Sequence, residues 1–148
     1  MSETEEAVVE KRNYPVMADL GPNIPTFEDY FAMRLPVIKE TQAILAQALS
    51  SDPLEMEQQI RQAEAKLAVL KCTESFSNAY LDVAEHLELS KLPPRSQTYT
   101  DMDRNKALAA ACVRYRRFRD ICVALIESIE TRISYGQSRL RFIEKNNG

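Results

Sequence analysis

The sequence predicts an all-α protein in which two antiparallel helices precede one long C-terminal helix with a coiled-coil-like seam, assembled as an oligomer. Three observations support this prediction. Apolar residues recur at steps of three and four, and no segment alternates as a strand does. The 148 residues include only 3 Gly, which leaves few tight turns. The length is that of a single domain.

Residues 1–25 are predicted to form a flexible acidic N-terminal arm, and residues 26–148 the helical domain. Four Glu lie among the first ten residues, and three prolines and a glycine follow before residue 26. The arm has no apolar signal-peptide core, and no apolar run in the chain is long enough to span a bilayer. These features predict a cytoplasmic protein with no membrane partner.

The first helix is predicted over residues 26–48. Its start is marked by "TFED", in which Thr26 is a suitable N-cap because its side-chain oxygen can accept from a backbone N–H three residues later. Pro36 lies inside this range. It therefore predicts either a kink at that point or a later helix start at Leu35.

The second helix is predicted over residues 53–89. The stretch "SSDPLEMEQQ" places Ser51 or Asp52 as the cap, Pro53 at the first helical position and acidic residues in the first turn. The following segment, "SKLPPRSQTYT", contains two adjacent prolines and is predicted to be a loop.

The third helix is predicted to run unbroken over residues 102–145, which gives about 65 Å at 1.5 Å per residue. Steps of three and four define a seam sustained over five heptads, longer than one three-helix protomer is expected to bury. This seam therefore predicts a homo-oligomer. The seam residues are Tyr115, Phe118, Cys122, Leu125, Ile129, Arg132, Gly136 and Ile143.

Arg132 and Gly136 interrupt this otherwise apolar seam, and two accounts of them stay open. In the first account, Arg132 extends its charged end to water beside the seam, or it pairs with a carboxylate such as Glu127 or one on another helix. Gly136 then lets two helices approach closely. In the second, Arg132 fixes the register or the oligomeric state, as polar seam residues do in coiled coils.

Charge is distributed unevenly along the chain. Residues 101–148 hold 10 Lys and Arg against 6 Asp and Glu, whereas the first 100 residues hold 9 against 16. The stretch "VRYRRFRD" (113–120) is the most basic, and its four arginines are named here the collar: Arg114, Arg116, Arg117 and Arg119. At 100° per residue its two aromatic residues fall on the seam. Arg114 and Arg119 then flank the seam, and Arg116 and Arg117 point away from it.

Two roles for the collar stay open. Its arginines form ion pairs with the acidic second helix through Glu57, Glu64 and Glu74, or they bind nucleic-acid phosphates. In the second role a basic stripe extends the collar along the chain. The candidate nucleic-acid-binding residues are then Lys106, Arg114, Arg116, Arg117, Arg119, Arg139, Arg141 and Lys145.

No motif predicts catalysis, a cofactor or a metal site. His86 is the only histidine, and the chain contains no CxxC, no E-x-x-H, no P-loop and no dinucleotide fingerprint. The three cysteines are predicted to be reduced thiols. The sequence therefore predicts a non-enzymatic protein.

The C-terminal stretch "DICVALIESIETR", followed by "YGQSRLRFIEKNNG", resembles the end of the UvsY family of phage recombination mediators. The shared pattern is an acid and a Cys two residues apart, an L-x-x-I run, an Arg, a basic turn with an aromatic, and a closing Asn-Gly. The matching positions here are Asp120, Cys122, Ile126, Ile129, Arg132, Leu140, Phe142, Asn147 and Gly148. After Arg132, this chain has Ile133 and Ser134 where the family favours Gly and an aromatic.

The resemblance implies a small helical protein that assembles into a ring and binds single-stranded DNA. It also implies that the protein loosens a single-strand-binding protein and loads a RecA-like recombinase, without a cofactor. Two other classes stay open. One is a phage structural or adaptor protein that uses the long helix for protein–protein assembly. The other is a small helical inhibitor whose acidic arm mimics nucleic acid.

Overall fold

The computed structural model describes residues 24–147, and these residues form four helices without a strand. The helices are α1 (Phe27–Ala46), α2 (Pro53–Lys91), α3 (Asp101–Ala111) and α4 (Val113–Asn147). The all-helical prediction is confirmed for this part of the chain. Apart from its last two residues, the predicted acidic arm lies outside the described residues. No helix in the described range is long and apolar enough to cross a membrane.

The first two helices begin where their caps predict. The Thr26 side chain accepts from the Asp29 backbone N–H at 3.2 Å, and Pro53 occupies the first turn of α2. Helix α1 continues through Pro36, so it does not start at Leu35. Because Pro36 has no backbone N–H, one carbonyl oxygen of the preceding turn receives no helical hydrogen bond. Pro36 lies on a side of α1 that is exposed to water.

The prediction of one unbroken third helix is wrong, because the chain bends at Cys112 between α3 and α4. The Cys112 side chain is fully buried in a small cluster with Leu81 and Ala84 of α2, against which Leu108 packs. Backbone hydrogen bonds continue on both sides, from Cys112 N–H to the Leu108 carbonyl and from Arg116 N–H to the Cys112 carbonyl. Burial of Cys112 thus places α3 against the end of α2, and a single residue separates α3 from α4.

Helices α2 and α4 form the longest contact of the fold. They are about 58 Å and 52 Å long at 1.5 Å per residue. Lys71 lies 3.6 Å from Glu130, while Glu85, further along α2, lies 3.0 Å from Arg116, which is earlier in α4. The two helices are therefore antiparallel.

Helix α1 lies against both long helices. Its first ring, Phe27, is 5.9 Å from the Tyr80 ring and 5.7 Å from the Phe118 ring, measured between centroids. Further along, Glu40 pairs with Lys66 of α2. Helix α1 therefore runs antiparallel to α2, as predicted, and parallel to α4.

An aromatic cluster forms the centre of the core where the three helices meet. Its rings contact one another at centroid separations between 5.2 and 6.3 Å, within the range of favourable aromatic pairs. The members are Phe27, Tyr30, Phe31, Phe76, Tyr80 and Phe118. The Tyr80 hydroxyl donates to the Pro25 carbonyl at 2.5 Å, which holds the chain entering α1 against α2.

Candidate nucleic-acid interface

The collar occupies the first two turns of α4, directly after the bend. The two aromatic residues between its arginines face the core, as predicted. Phe118 is 1 % exposed, and the half-buried Tyr115 ring lies 4.3 Å from the Phe27 ring. Neither ring is available to stack on a nucleic-acid base, so any DNA contact of the collar depends on its arginines.

Arg114 is held against α1. Its Nη1 lies 2.6 Å from the Glu28 carboxylate, and its guanidinium carbon lies 5.1 Å from the Tyr115 centroid and 5.7 Å from the Phe27 centroid. The hydrogen bond to Tyr115 and the charge interaction with that residue, with a smaller effect of Glu28, raise the pKa of Arg114. This arginine therefore joins α4 to α1 through an ion pair and cation–π contacts.

Arg116 does not point into solvent as the helical projection predicted. It is half-buried, and its Nη2 donates to the Glu85 carboxylate of α2 at 3.0 Å. The projection assumed one buried face on α4. Helix α2 extends alongside this part of α4, however, and covers a second side.

The other two collar arginines differ from each other. The Arg119 guanidinium contacts the neighbouring Asp120 carboxylate at 3.0 and 3.2 Å. Arg117 is exposed and has no ion-pair partner among residues 24–147. Three of the four collar arginines are thus paired within the chain, although with none of the three glutamates that the sequence suggested.

The remaining candidate residues lie in two separate places. Lys106 is exposed on α3, on the other side of the bend. Arg139, Arg141 and Lys145, named here the distal basic cluster, are exposed in the last turns of α4 and form no ion pair with another described residue. The rise from Arg117 to Lys145 is about 42 Å, so the predicted stripe is not one continuous site.

The predicted oligomer seam lies inside the protomer. Five of its members are buried against α1 and α2, namely Phe118, Cys122, Leu125, Ile129 and Gly136, and three are half-buried, namely Tyr115, Arg132 and Ile143. Helix α2 runs alongside α4 from the Arg116–Glu85 ion pair to the close approach of Ile60 to Gly136, so it packs along most of the seam. Self-association stays a prediction, but it requires a different surface.

The two interruptions of the seam have different surroundings. At Gly136 an added Cβ would lie only 2.8 Å from Cγ1 of Ile60, so glycine permits the close approach of α4 and α2. Arg132 lies at a shallow depression beside Leu49 and Tyr135. Its Nε and Nη2 are buried without a hydrogen-bond acceptor in the described part of the chain, and Glu127 is not its partner here.

The cysteines are free thiols, two buried and one half-buried. Burial, followed by the charge of Glu74, raises the pKa of Cys122 to about 11. His86 is exposed, and the described residues contain no group of three His, Cys, Asp or Glu side chains placed to hold a metal ion.

Comparison with protein-family models, curated proteins and solved structures finds no match for this chain.

Proposed function

We propose that this chain is a non-enzymatic protein that binds single-stranded DNA and acts as an accessory in recombination or replication. The observation that carries the proposal is the distal basic cluster. Arg139, Arg141 and Lys145 extend three exposed cations from one helix end, without a carboxylate partner among the described residues. Unpaired, solvated cations of this kind bind phosphates by releasing counterions.

The proposal includes self-association and two protein partners, a RecA-like recombinase and a single-strand-binding protein. The resemblance of residues 120–148 to the UvsY family suggests these partners. The distal basic cluster lies within the same residues.

The collar has a smaller part in this function than the sequence suggested. Arg114, Arg116 and Arg119 already have carboxylate partners, and binding a phosphate would require each to leave its partner. Arg117 is the collar residue that is ready to contact DNA. We therefore expect the collar to contribute one phosphate contact and the distal basic cluster up to three.

Fluorescence anisotropy with labelled single- and double-stranded oligonucleotides, at several salt concentrations, tests the proposal. The triple variant Arg139→Ala, Arg141→Ala, Lys145→Ala should weaken binding about equally for all sequences. It should also flatten the plot of log K against log salt by about 2.1, at about 0.7 per phosphate contact on a single strand.

Two single variants provide a matched pair within the collar. Arg117→Ala should flatten the salt slope by about 0.7, whereas Arg116→Ala should leave it unchanged because Glu85 holds its guanidinium. Lys39→Ala, which removes an exposed lysine from α1, is the control for a general loss of charge. DNA binding by the triple variant equal to that of the wild type would overturn the proposal.

The second candidate is a protein–protein adaptor, and the internal ion pairs of the collar favour it. If the wild-type chain binds no oligonucleotide even at low salt, the basic residues of α4 serve packing and solubility instead. The adaptor function would then be tested by substituting the exposed apolar residues of α4 and measuring whether the protein still assembles.

A further inference from the structure

Helix α4 carries a second apolar stripe on the side that faces away from its own core. Ile121, Tyr135 and Phe142 are 40 %, 57 % and 62 % exposed, and Ser128 completes their seven-residue spacing. These four positions are named here the outer stripe. A strict seven-residue repeat on one helix face is typical of a seam between helices.

The positions three residues after each member of the outer stripe also suit a contact between helices. Its members are exposed and mostly small, which lets another helix approach closely: Ala124, Thr131, Ser138 and Lys145. Together the two rows have the a and d spacing of a heptad repeat. The lysine has a long apolar stem, and its ammonium group can extend past the edge of such a contact.

The described part of the protomer does not cover this face. The end of α1 and the chain after it, from Leu45 to Leu49, lie along one border of the stripe, beside Ser128, Thr131 and Tyr135. Exposure increases along the stripe toward Phe142. Residues 24–147 therefore leave the outer face of α4 from Ser128 to Lys145 exposed, where another helix can bind.

Charges beside the stripe indicate which helix fits. Ser128 occupies an a position of the heptad. Arg132 lies four residues after it, at an e position, and Glu127 lies one residue before it, at a g position. In a parallel pair of identical helices, Glu127 of one chain lies beside Arg132 of the partner subunit. Two guanidinium nitrogens of Arg132 are buried without an acceptor in the described residues, and the third, Nη1, is not among the buried atoms. That outer nitrogen can donate to a carboxylate at the surface.

An antiparallel pair built from the same layers has the opposite electrostatics. The antiparallel pair places Arg132 beside Arg139 of the partner subunit. Because the pair is symmetric, Arg139 also lies beside Arg132 of the partner subunit, which makes two such contacts. Like charges at these flanking positions oppose pairing. The parallel pair also brings Lys145 of each chain into one layer, which is a single like-charge contact at the helix end. It is set against two Glu127–Arg132 pairs, whereas the antiparallel pair has two like-charge contacts and neither of those ion pairs. The balance of charges therefore favours the parallel arrangement.

We propose that α4 binds α4 of a second copy of this chain, in parallel, through the outer stripe between Ser128 and Lys145. The inference rests on the self-association included in the proposed function and gives it a surface and an orientation. It also places two distal basic clusters side by side, so that the phosphate-binding surface is built from both chains.

Sedimentation equilibrium of the full chain without DNA tests the surface. Tyr135→Ser and Phe142→Ser should each weaken self-association by about tenfold, because buried aromatic residues dominate such contacts. Leu87→Ser, which removes a residue that is 54 % exposed on α2, should leave the mass unchanged. A monomeric wild type, or equal effects of all three variants, would overturn the inference.

Disulfide cross-linking tests the orientation. In a parallel pair, Ser138 lies at the contact and faces Ser138 of the partner subunit, so Ser138→Cys should form a covalent dimer on mild oxidation. Gln137→Cys places a thiol at another exposed position, about 100° around the helix, and should not cross-link. The wild-type chain, whose own thiols are buried or half-buried, sets the background. Equal cross-linking of the two variants would contradict the parallel contact.

These measurements separate the inference from DNA binding. Self-association that survives both stripe variants would keep the proposed assembly and overturn the outer stripe. Phe142→Ser that lowers DNA binding without changing the mass would instead show that the ring stacks on a base, which also overturns the inference. The double variant Arg139→Ala, Arg141→Ala keeps Lys145 of the contact in place, and its loss of DNA binding at unchanged mass supports the inference.

Discussion

Gly136→Ala adds one methyl group between α4 and α2. The new Cβ would lie 2.8 Å from Cγ1 and 2.9 Å from Cδ1 of Ile60, whereas carbon atoms in contact prefer about 3.5–4.0 Å. Ile60 is 6 % exposed, and its β-branched side chain moves Cγ1 only by rotating χ1 within a packed core. The two helices must therefore separate, or Ile60 must adopt a poorer rotamer.

Two opposing effects set the size of the change. Alanine is favoured over glycine inside a helix by about 1 kcal/mol, whereas overpacking a core costs about 1–3 kcal/mol. Because both contacting atoms belong to a stiff, buried side chain, we expect the steric cost to exceed the helical gain by about 1 kcal/mol. That difference corresponds to a Tm lower by about 2–4 °C.

Ile60→Ala provides the decisive background because it removes both contacting atoms. In that background Gly136→Ala fills part of the vacated space and keeps its helical gain, so it should stabilise by about 1 kcal/mol. The coupling in a double-mutant cycle is then about 2 kcal/mol, measured by urea unfolding of the four proteins with circular dichroism. The same effect of Gly136→Ala in both backgrounds would refute the steric reasoning.

Three further predictions concern stability, pH and thiol reactivity. Phe118→Ala should destabilise by about 3–5 kcal/mol in urea unfolding, and Tyr115→Ala by clearly less because its ring is only half-buried. Tyr80→Phe should cost about 1–2 kcal/mol, since the Pro25 carbonyl loses its donor. Burial raises the pKa of Tyr80, so its protonated form is favoured in the folded state. The stability that this shift contributes is present below about pH 10 and is lost above it, which unfolding of wild type and Tyr80→Phe at several pH values will detect. With a pKa of about 11, the Cys122 thiol should resist maleimide at neutral pH until the protein unfolds, and fast labelling of the folded protein would contradict this.

The sequence predicts the beginnings of α1 and α2 because local chemistry determines them. Thr26 has a side chain that accepts from the first turn, and Pro53 needs no N–H donor bond there. The bend at Cys112 has no such local signal, since "LAAACVRY" contains neither Gly nor Pro. It results from packing of Cys112 on Leu81, a residue 31 positions away, and only the tertiary arrangement brings the two together.

The collar shows the same division between local and tertiary information. Helical periodicity correctly places Phe118 in the core because that residue follows the apolar face of α4. The partners Glu28 and Glu85 were missed, because their positions depend on the register of α1 and α2 against α4. That register is set by aromatic packing between distant segments, which periodicity within one helix does not report.

The two stripes of α4 show why periodicity alone could not assign the surface for assembly. Both stripes repeat at helical spacing, but the packing of α1 and α2 against one of them places the predicted seam in the protomer core. Leu125→Ala or Ile129→Ala should therefore lower the stability of each protomer by about 2–5 kcal/mol, with any loss of assembly following from unfolding. Tyr135→Ser and Phe142→Ser should change the mass and leave thermal unfolding of the diluted protein nearly unchanged, because both rings are exposed in the protomer. If the two pairs of variants had the same effects on mass and stability, the protomer core and the assembly surface would not be separate faces of α4.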